Sequence, residues 1–215
     1  MLLGTDVKEV NKEFNMNDLQ ITSQKAIEML KTGNERFIKG QTIQYNYMKQ
    51  VYATSKNQKP FAAILSCMDS RLPAPIIFDQ GIGNVFSICI AGNCVNNDIL
   101  GSLELACVIG NVKLIVVVGH NECSAIKSAC DNLLIGNITH TVLNIKPAII
   151  ATGDILANTS YSEKDFIQAV AKKHVELTIE KILKLSEVLQ RKISDNDLNI
   201  IGAMYDVYTG HVDFD

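Results

Sequence analysis

Hydrophobic and polar positions divide the chain into short, wholly apolar runs separated by segments of helical period. Phe61 to Leu65, Val85 to Ile90 and Leu114 to Val118 (Leu-Ile-Val-Val-Val) are the apolar runs. Their shortness and uniform apolarity predict strands buried on both faces of a parallel sheet. Leu198 to Val207 alternates and reads as a fourth strand, and the Thr209-Gly210 turn returns His211 to Phe214 as its hairpin partner.

The intervening segments predict helices. Thr22 or Ser23 can cap the first, whose apolar stripe is Ala26, Ile27, Met29, Leu30 and Phe37 and which Gly40 ends. Pro73 and Pro75 suit the first turn of a short helix reaching Asp79. Further helices are expected from Asp98 through Cys107, from Glu122 to Cys130, and, strongly amphipathic, from Glu163 to Gln190. Within 131–160, Pro147 opens a short helix that Gly153 interrupts, while residues 1 to 21 read as a polar arm and the stretch before Pro60 as irregular. Alternating strands and helices over 60–207 predict an α/β fold, with a mainly parallel central β-sheet flanked by helices and a carboxy-terminal edge hairpin. The 215 residues form one expected domain, with an amino-terminal arm and helix in 1–40 and an α/β core in 60–215.

Composition narrows the functional classes. An apolar fraction of 47% against 20% charged supplies an ordinary core. A net charge of −3, with scattered basic residues, argues against nucleic-acid binding. The apolar run Leu114 to Val118 falls far short of the ~20 residues of a spanning helix. The start turns polar at once, so neither a secretory signal nor a membrane role is expected and a cytoplasmic location is. In that setting six cysteines suggest metal binding or burial rather than disulfides, and Cys89, Cys94 and Cys107, in apolar or small-residue surroundings, read as core residues.

Cys67, in Ser66-Cys67-Met68-Asp69-Ser70-Arg71, and the pair in Gly119-His120-Asn121-Glu122-Cys123 each directly follow a predicted strand. Two thiols and one imidazole are the donor count of a catalytic zinc site that keeps its fourth position open. Strand ends are where open α/β sheets carry such sites. A His-x-x-Cys pair alone is weak evidence; a cysteine after a second buried strand strengthens it. With a helix starting near Glu122, His120 falls on the preceding loop and Cys123 in the first turn. Cys130, seven residues beyond Cys123, lies ~10 Å away along one helix and cannot share the ion, so it is placed in the core. Asp69 and Arg71 can approach one another on a loop. The carboxylate could be a fourth ligand, or accept a hydrogen bond from a metal-bound hydroxide while an arginine fork keeps it ionised. His140, His174 and His211 are available as proton carriers but read as surface or packing residues.

The two clusters resemble the signature of the beta-class carbonic anhydrases. So do Gly33-Asn34-Glu35-Arg36-Phe37, Ala91-Gly92-Asn93, Ser102-Leu103-Glu104, Val117-Val118-Gly119-His120 and the closing Gly202-Ala203-x-Tyr205-Asp206-Val207-x-Thr209-Gly210. The resemblance implies a Zn²⁺ enzyme interconverting carbon dioxide and bicarbonate. It implies Cys67, His120 and Cys123 as zinc ligands, Asp69 and Arg71 as the catalytic dyad, and Asp69 on the metal in a closed form. It further implies Gln58 as an amide donor to substrate, Phe86 as an apolar wall, and a homodimer or tetramer of dimers with the amino-terminal helix packed on the partner. The chain departs from the pattern at Cys89 (usually arginine), Ile90 (asparagine), Leu105 (a pocket tyrosine in plant-like members), Ile64 (tryptophan in a bicarbonate-regulated subgroup) and Ser124-Ala125 (glycine). The same ligand set also serves hydrolases of carbonyl sulfide and carbon disulfide, and a zinc-binding homologue without full turnover is the other alternative.

Overall fold

A computed structural model describes residues 21–157 and 160–215, so all but the last residue of the arm expected over residues 1 to 21 lies outside the described residues. Five strands among them form one sheet: β1 (Ala62–Ser66), β2 (Val85–Cys89), β3 (Leu114–His120), β4 (Asn199–Tyr205) and β5 (Val212–Phe214), in the order β2-β1-β3-β4-β5. The first four are parallel and β5 joins antiparallel, with Tyr205 opposite Val212. Every residue of β1 and β3 is buried, as their unbroken apolar runs require.

The described residues also form eight α-helices, α1 (Ser23–Ile38), α2 (Tyr47–Thr54), α3 (Ala74–Ile77), α4 (Asn97–Val108), α5 (Ser124–Cys130), α6 (Ile138–Leu156), α7 (Glu163–Leu185) and α8 (Glu187–Ser194), and one 3-10 turn, Ala91–Asn93. One face of the sheet packs on α1 and α3 through Ala26, Leu30, Ile77, Phe78, Leu114 and Val116. The other packs on α4, α7 and α8 through Leu65, Leu103, Ile115, Val117, Ile182 and Leu189. No helix of the described residues is long and apolar enough to cross a membrane.

Several elements differ from expectation. Helix α2 forms where no element was expected; its cap, Asn46, accepts from the Lys49 N–H, but no α2 residue is buried, so it carries no apolar stripe facing the core. Helix α6 runs through Pro147 rather than opening there, with Val142, Ile145, Ala148 and Thr152 buried, so tertiary packing outweighs the lost helical hydrogen bond. The expected Glu163–Gln190 helix breaks at Ser186, which ends α7 in an extended conformation and caps α8 by accepting from the Leu189 N–H. Within the chain, helix α1 packs on the sheet through Ala26 and Leu30, and Asn34 ties it there: its amide donates to the Ile77 and Gly210 carbonyls at 3.0 and 2.8 Å, and its oxygen accepts from Val212 N–H at 2.9 Å.

Candidate metal centre

The strand order reverses direction between β1 and β3, so the chain leaves their carboxyl ends to opposite sides and opens a crevice there. Cys67 follows β1 directly, and His120 is the last residue of β3. Ser66 pairs with Val118, which puts Cys67 and His120 at nearly the same level on neighbouring strands. Cys123 is the N-cap of α5. Two boundaries correct the expectation: His120 belongs to the strand, not the loop, and the helix starts at Ser124 because Glu122 takes a left-handed φ of 54°.

The three side chains converge in the protein interior, with exposures of 5% for Cys67, 1% for His120 and 2% for Cys123. Their donor atoms all lie within 4.8 Å of one another. His120 Nδ1 lies 2.8 Å from the Asn121 carbonyl, which can only accept, so Nδ1 carries the proton and Nε2 presents a lone pair. That Nε2 is buried without a hydrogen-bond partner. An orphaned buried polar atom costs roughly 1–3 kcal/mol, and a cation removes the cost.

The thiol sulfurs stand 3.9 Å apart and titrate as a pair. The hydrogen bond from Cys123 pulls Cys67 down, and the Gly92 N–H, 3.4 Å from Cys67 Sγ, adds to it. The same contact, together with burial, pushes Cys123 up. Without a cation the pair shares one proton, with Cys123 as the thiol; both can be thiolates only with a cation between them. The donor chemistry therefore fits a soft-to-borderline divalent ion such as Zn²⁺.

Asp69 and Arg71 stand at the rim. Arg71 donates from Nε to Asp69 Oδ1 at 2.9 Å and from Nη2 to Oδ2 at 2.8 Å, a bidentate fork, and its backbone N–H adds a third bond at 2.9 Å. The fork lowers Asp69 to about 2, so the carboxylate stays charged throughout the physiological range. Arg71 Nη2 also donates to the Glu122 carbonyl at 3.1 Å. Beside the triad lies a cavity of about 430 Å³, lined by Cys67 and Asp69 with apolar walls from Met68, Ala91, Ala125 and Val142.

The other expected site residues stand elsewhere. Gln58 is exposed, four residues before β1 begins and so at the opposite end of that strand from Cys67. Phe86 lies opposite Ala63, four residues before Ile90, whose N–H bonds Ser66, and thus roughly 13 Å down the strand from Cys67. It lines a separate groove with Leu105. Cys94 and Cys107 are buried as expected, but Cys89 is exposed because β2 is an edge strand whose outer side nothing among the described residues covers. Cys130 is half-buried and packs against the cluster around the triad. His174 is buried, whereas His140 and His211 are exposed.

Two further residues, Gly92 and Glu122, contribute backbone groups to the site. Gly92 adopts a φ of 64° that lets its N–H face Cys67, and a Cβ there would meet Ala125 Cβ at 3.2 Å and Ile145 Cδ1 at 3.1 Å. A glycine between two strand-end clusters is the available signal. Glu122 contributes a backbone carbonyl, which no side-chain motif announces.

Fold and site together define an open α/β sheet bearing a buried Cys–His–Cys triad at its strand-order reversal. Residues 62–212 match the family model described as carbonic anhydrase. The chain is 33% identical over 192 residues to carbonic anhydrase 2 of Mycobacterium tuberculosis, covering 86% of this chain and 89% of that one. It is 30% identical over 194 residues to the carbonic anhydrase of Mycolicibacterium smegmatis, covering 87% and 91%. Among solved structures, a tetrameric beta-carbonic anhydrase of Sordaria macrospora superposes with a TM-score of 0.69 at 23% identity, covering 78% of this chain and 89% of that one. The chain belongs to the beta-class carbonic anhydrase family.

Proposed function

We propose that this protein is a zinc enzyme that reversibly hydrates carbon dioxide to bicarbonate and a proton. One observation carries the reading: a buried Cys67–His120–Cys123 triad with an unpartnered imidazole nitrogen, beside a carboxylate held by its own arginine. When bound, the metal supplies the Lewis acidity that makes water nucleophilic near neutral pH.

The remaining roles belong to the chain. Asp69 accepts a hydrogen bond from the nucleophile and leaves a lone pair aimed at the carbon of CO₂. Arg71 keeps Asp69 ionised and holds it away from the ligand position; without that hold, Asp69 closes the site as a fourth ligand. The apolar cavity wall suits a small nonpolar substrate. Gln58 and Phe86 do not reach this cavity within one chain. Their assignment as amide donor and apolar wall therefore belongs with assembly as a homodimer or tetramer of dimers, in which a second copy supplies them. The tetrameric description of the Sordaria protein supports that part of the reading. A cytoplasmic location is part of it too.

The test is hydration of CO₂ by zinc-loaded protein, run in parallel with COS and CS₂. CO₂ turnover well above the other two is expected. A zinc-loaded protein inert toward CO₂, or one preferring a sulfur substrate, overturns the reading.

A further inference from the structure

Arg71 is half-exposed, yet its fork has a defined direction, and that direction is set from outside its own loop. The guanidinium leans on the Glu122 carbonyl, which faces it because Glu122 adopts the left-handed region rare for residues with side chains. Three contacts hold the turn there. Tyr208 donates its hydroxyl to Glu122 Oε1 at 2.9 Å, and Lys164 Nζ lies 3.4 Å from the same oxygen. The Lys164 ammonium also sits over the Tyr208 ring, 5.3 Å from its centre. Next door, Asn121 donates to Asp206 at 2.9 Å and accepts from Val207 N–H at 2.8 Å, tying the same turn to the β4–β5 loop.

We propose that Tyr208 and Lys164 are positioning residues that, through Glu122, seat Arg71 and so keep Asp69 paired rather than free to swing toward the metal ligands. The inference rests on the proposed working roles of Asp69 and Arg71. A surface ion pair alone would fix little. Here a hydroxyl and an ammonium from two segments distant in sequence converge on one carboxylate, and a cation–π contact holds those two groups to each other. The control point of the site thus lies on the carboxy-terminal hairpin and the start of α7, outside both ligand motifs.

The test labels the zinc-loaded protein with phenylglyoxal and follows each arginine by mass spectrometry. The chain has three, Arg36, Arg71 and Arg191, so two serve as internal references. Tyr208 is 68% exposed, so Tyr208→Phe removes only a surface hydroxyl and folds normally. Tyr208→Phe and Lys164→Met are each expected to raise Arg71 labelling severalfold and to lower kcat at unchanged KM and zinc content. Glu122→Gln, which still accepts from Tyr208, is expected to stay closer to the parent than Glu122→Ala. In an Arg71→Ala background, Tyr208→Phe should cost nothing further. Unchanged Arg71 labelling in both Tyr208→Phe and Lys164→Met overturns the inference. If labelling rises while Asp69→Asn keeps full activity, the seat stands and the catalytic role of the dyad falls.

Discussion

Cys67 and Asp69 are two residues apart and are held by different physics. Cys67 belongs to a triad whose members are at most 5% exposed and hang from the ends of β1 and β3 and the cap of α5. Asp69 belongs to a pair at the rim, in which the Arg71 side chain is 48% exposed and both are fixed by side-chain and loop contacts. The sheet places the first half of the site; loops from distant parts of the chain place the second. Disturbing the triad should therefore abolish the site, whereas disturbing the pair should retune it.

The largest expected effect is on the triad. On the proposed reading His120→Ala removes the one neutral ligand, and the variant should then retain little zinc. CO₂ hydration should fall beyond the roughly 100-fold that loss of an outer-shell partner costs. Zinc analysis on dialysed protein checks it. Retained metal would mean that the buried donors are not the ligands, and the contrast between the two halves would collapse.

Asp69→Asn comes next. Zinc content should stay at the parental level while turnover falls on the order of 10²-fold, the scale at which a positioned proton acceptor contributes. Full activity in this variant would remove the rim pair from the chemistry and leave the triad as the whole site.

The two halves also differ in how far the sequence discloses them. The uniform burial of β1 and of Leu114 to Val118 follows directly from their apolar runs, so pattern alone puts Cys67 directly after one buried strand and His120 close to the end of another, though not within it. The start of α5 at Ser124 rather than Glu122 is not legible in the sequence, because a non-glycine left-handed residue such as Glu122 has no sequence signature. Helix α6 defied its internal Pro147 because burial of Ile145 and Ala148 outweighs a local preference. The seat of Arg71 escaped altogether. Tyr208 and Lys164 meet Glu122 only after folding, and no spacing rule links positions 122, 164 and 208. Cys89 failed for the opposite reason: its apolar neighbours suggested a core, but the strand bearing it is an edge.

A third prediction probes the support beneath the triad. His174 Nε2 bonds the Gly92 carbonyl at 2.8 Å, and Gly92 in turn donates to Cys67. Burial lowers His174 to about 4 from its ordinary 6.5. The unfolded chain therefore binds a proton there before the folded one does. Stability from this group is complete above about pH 6.5 and is lost as pH falls toward about 4. The loss should reach about 3 kcal/mol, one buried group shifted by more than two units. Urea unfolding between pH 7 and 4 should show it in the parent but not in His174→Gln. An equal slope in both would place the acid sensitivity elsewhere.

The smallest effect belongs to the rim. Asp69 is also lowered, to about 2 from 3.8, but by the Arg71 fork rather than by burial. The sign is that of any depressed carboxylate: its stabilisation is present above about pH 3.8 and disappears as pH falls through about 2. Water screens a pair at the surface, so the amount should be below about 1 kcal/mol. Parent and Asp69→Asn, unfolded side by side between pH 5 and 2, should therefore differ in that window by less than half of the His174 effect. A larger difference would mean that the pair carries part of the fold, and that Asp69 could not leave Arg71 to close the site without loosening the loop after β1. A small one leaves the carboxylate free to serve chemistry at little structural cost, which is what separates it from the cysteine two residues earlier.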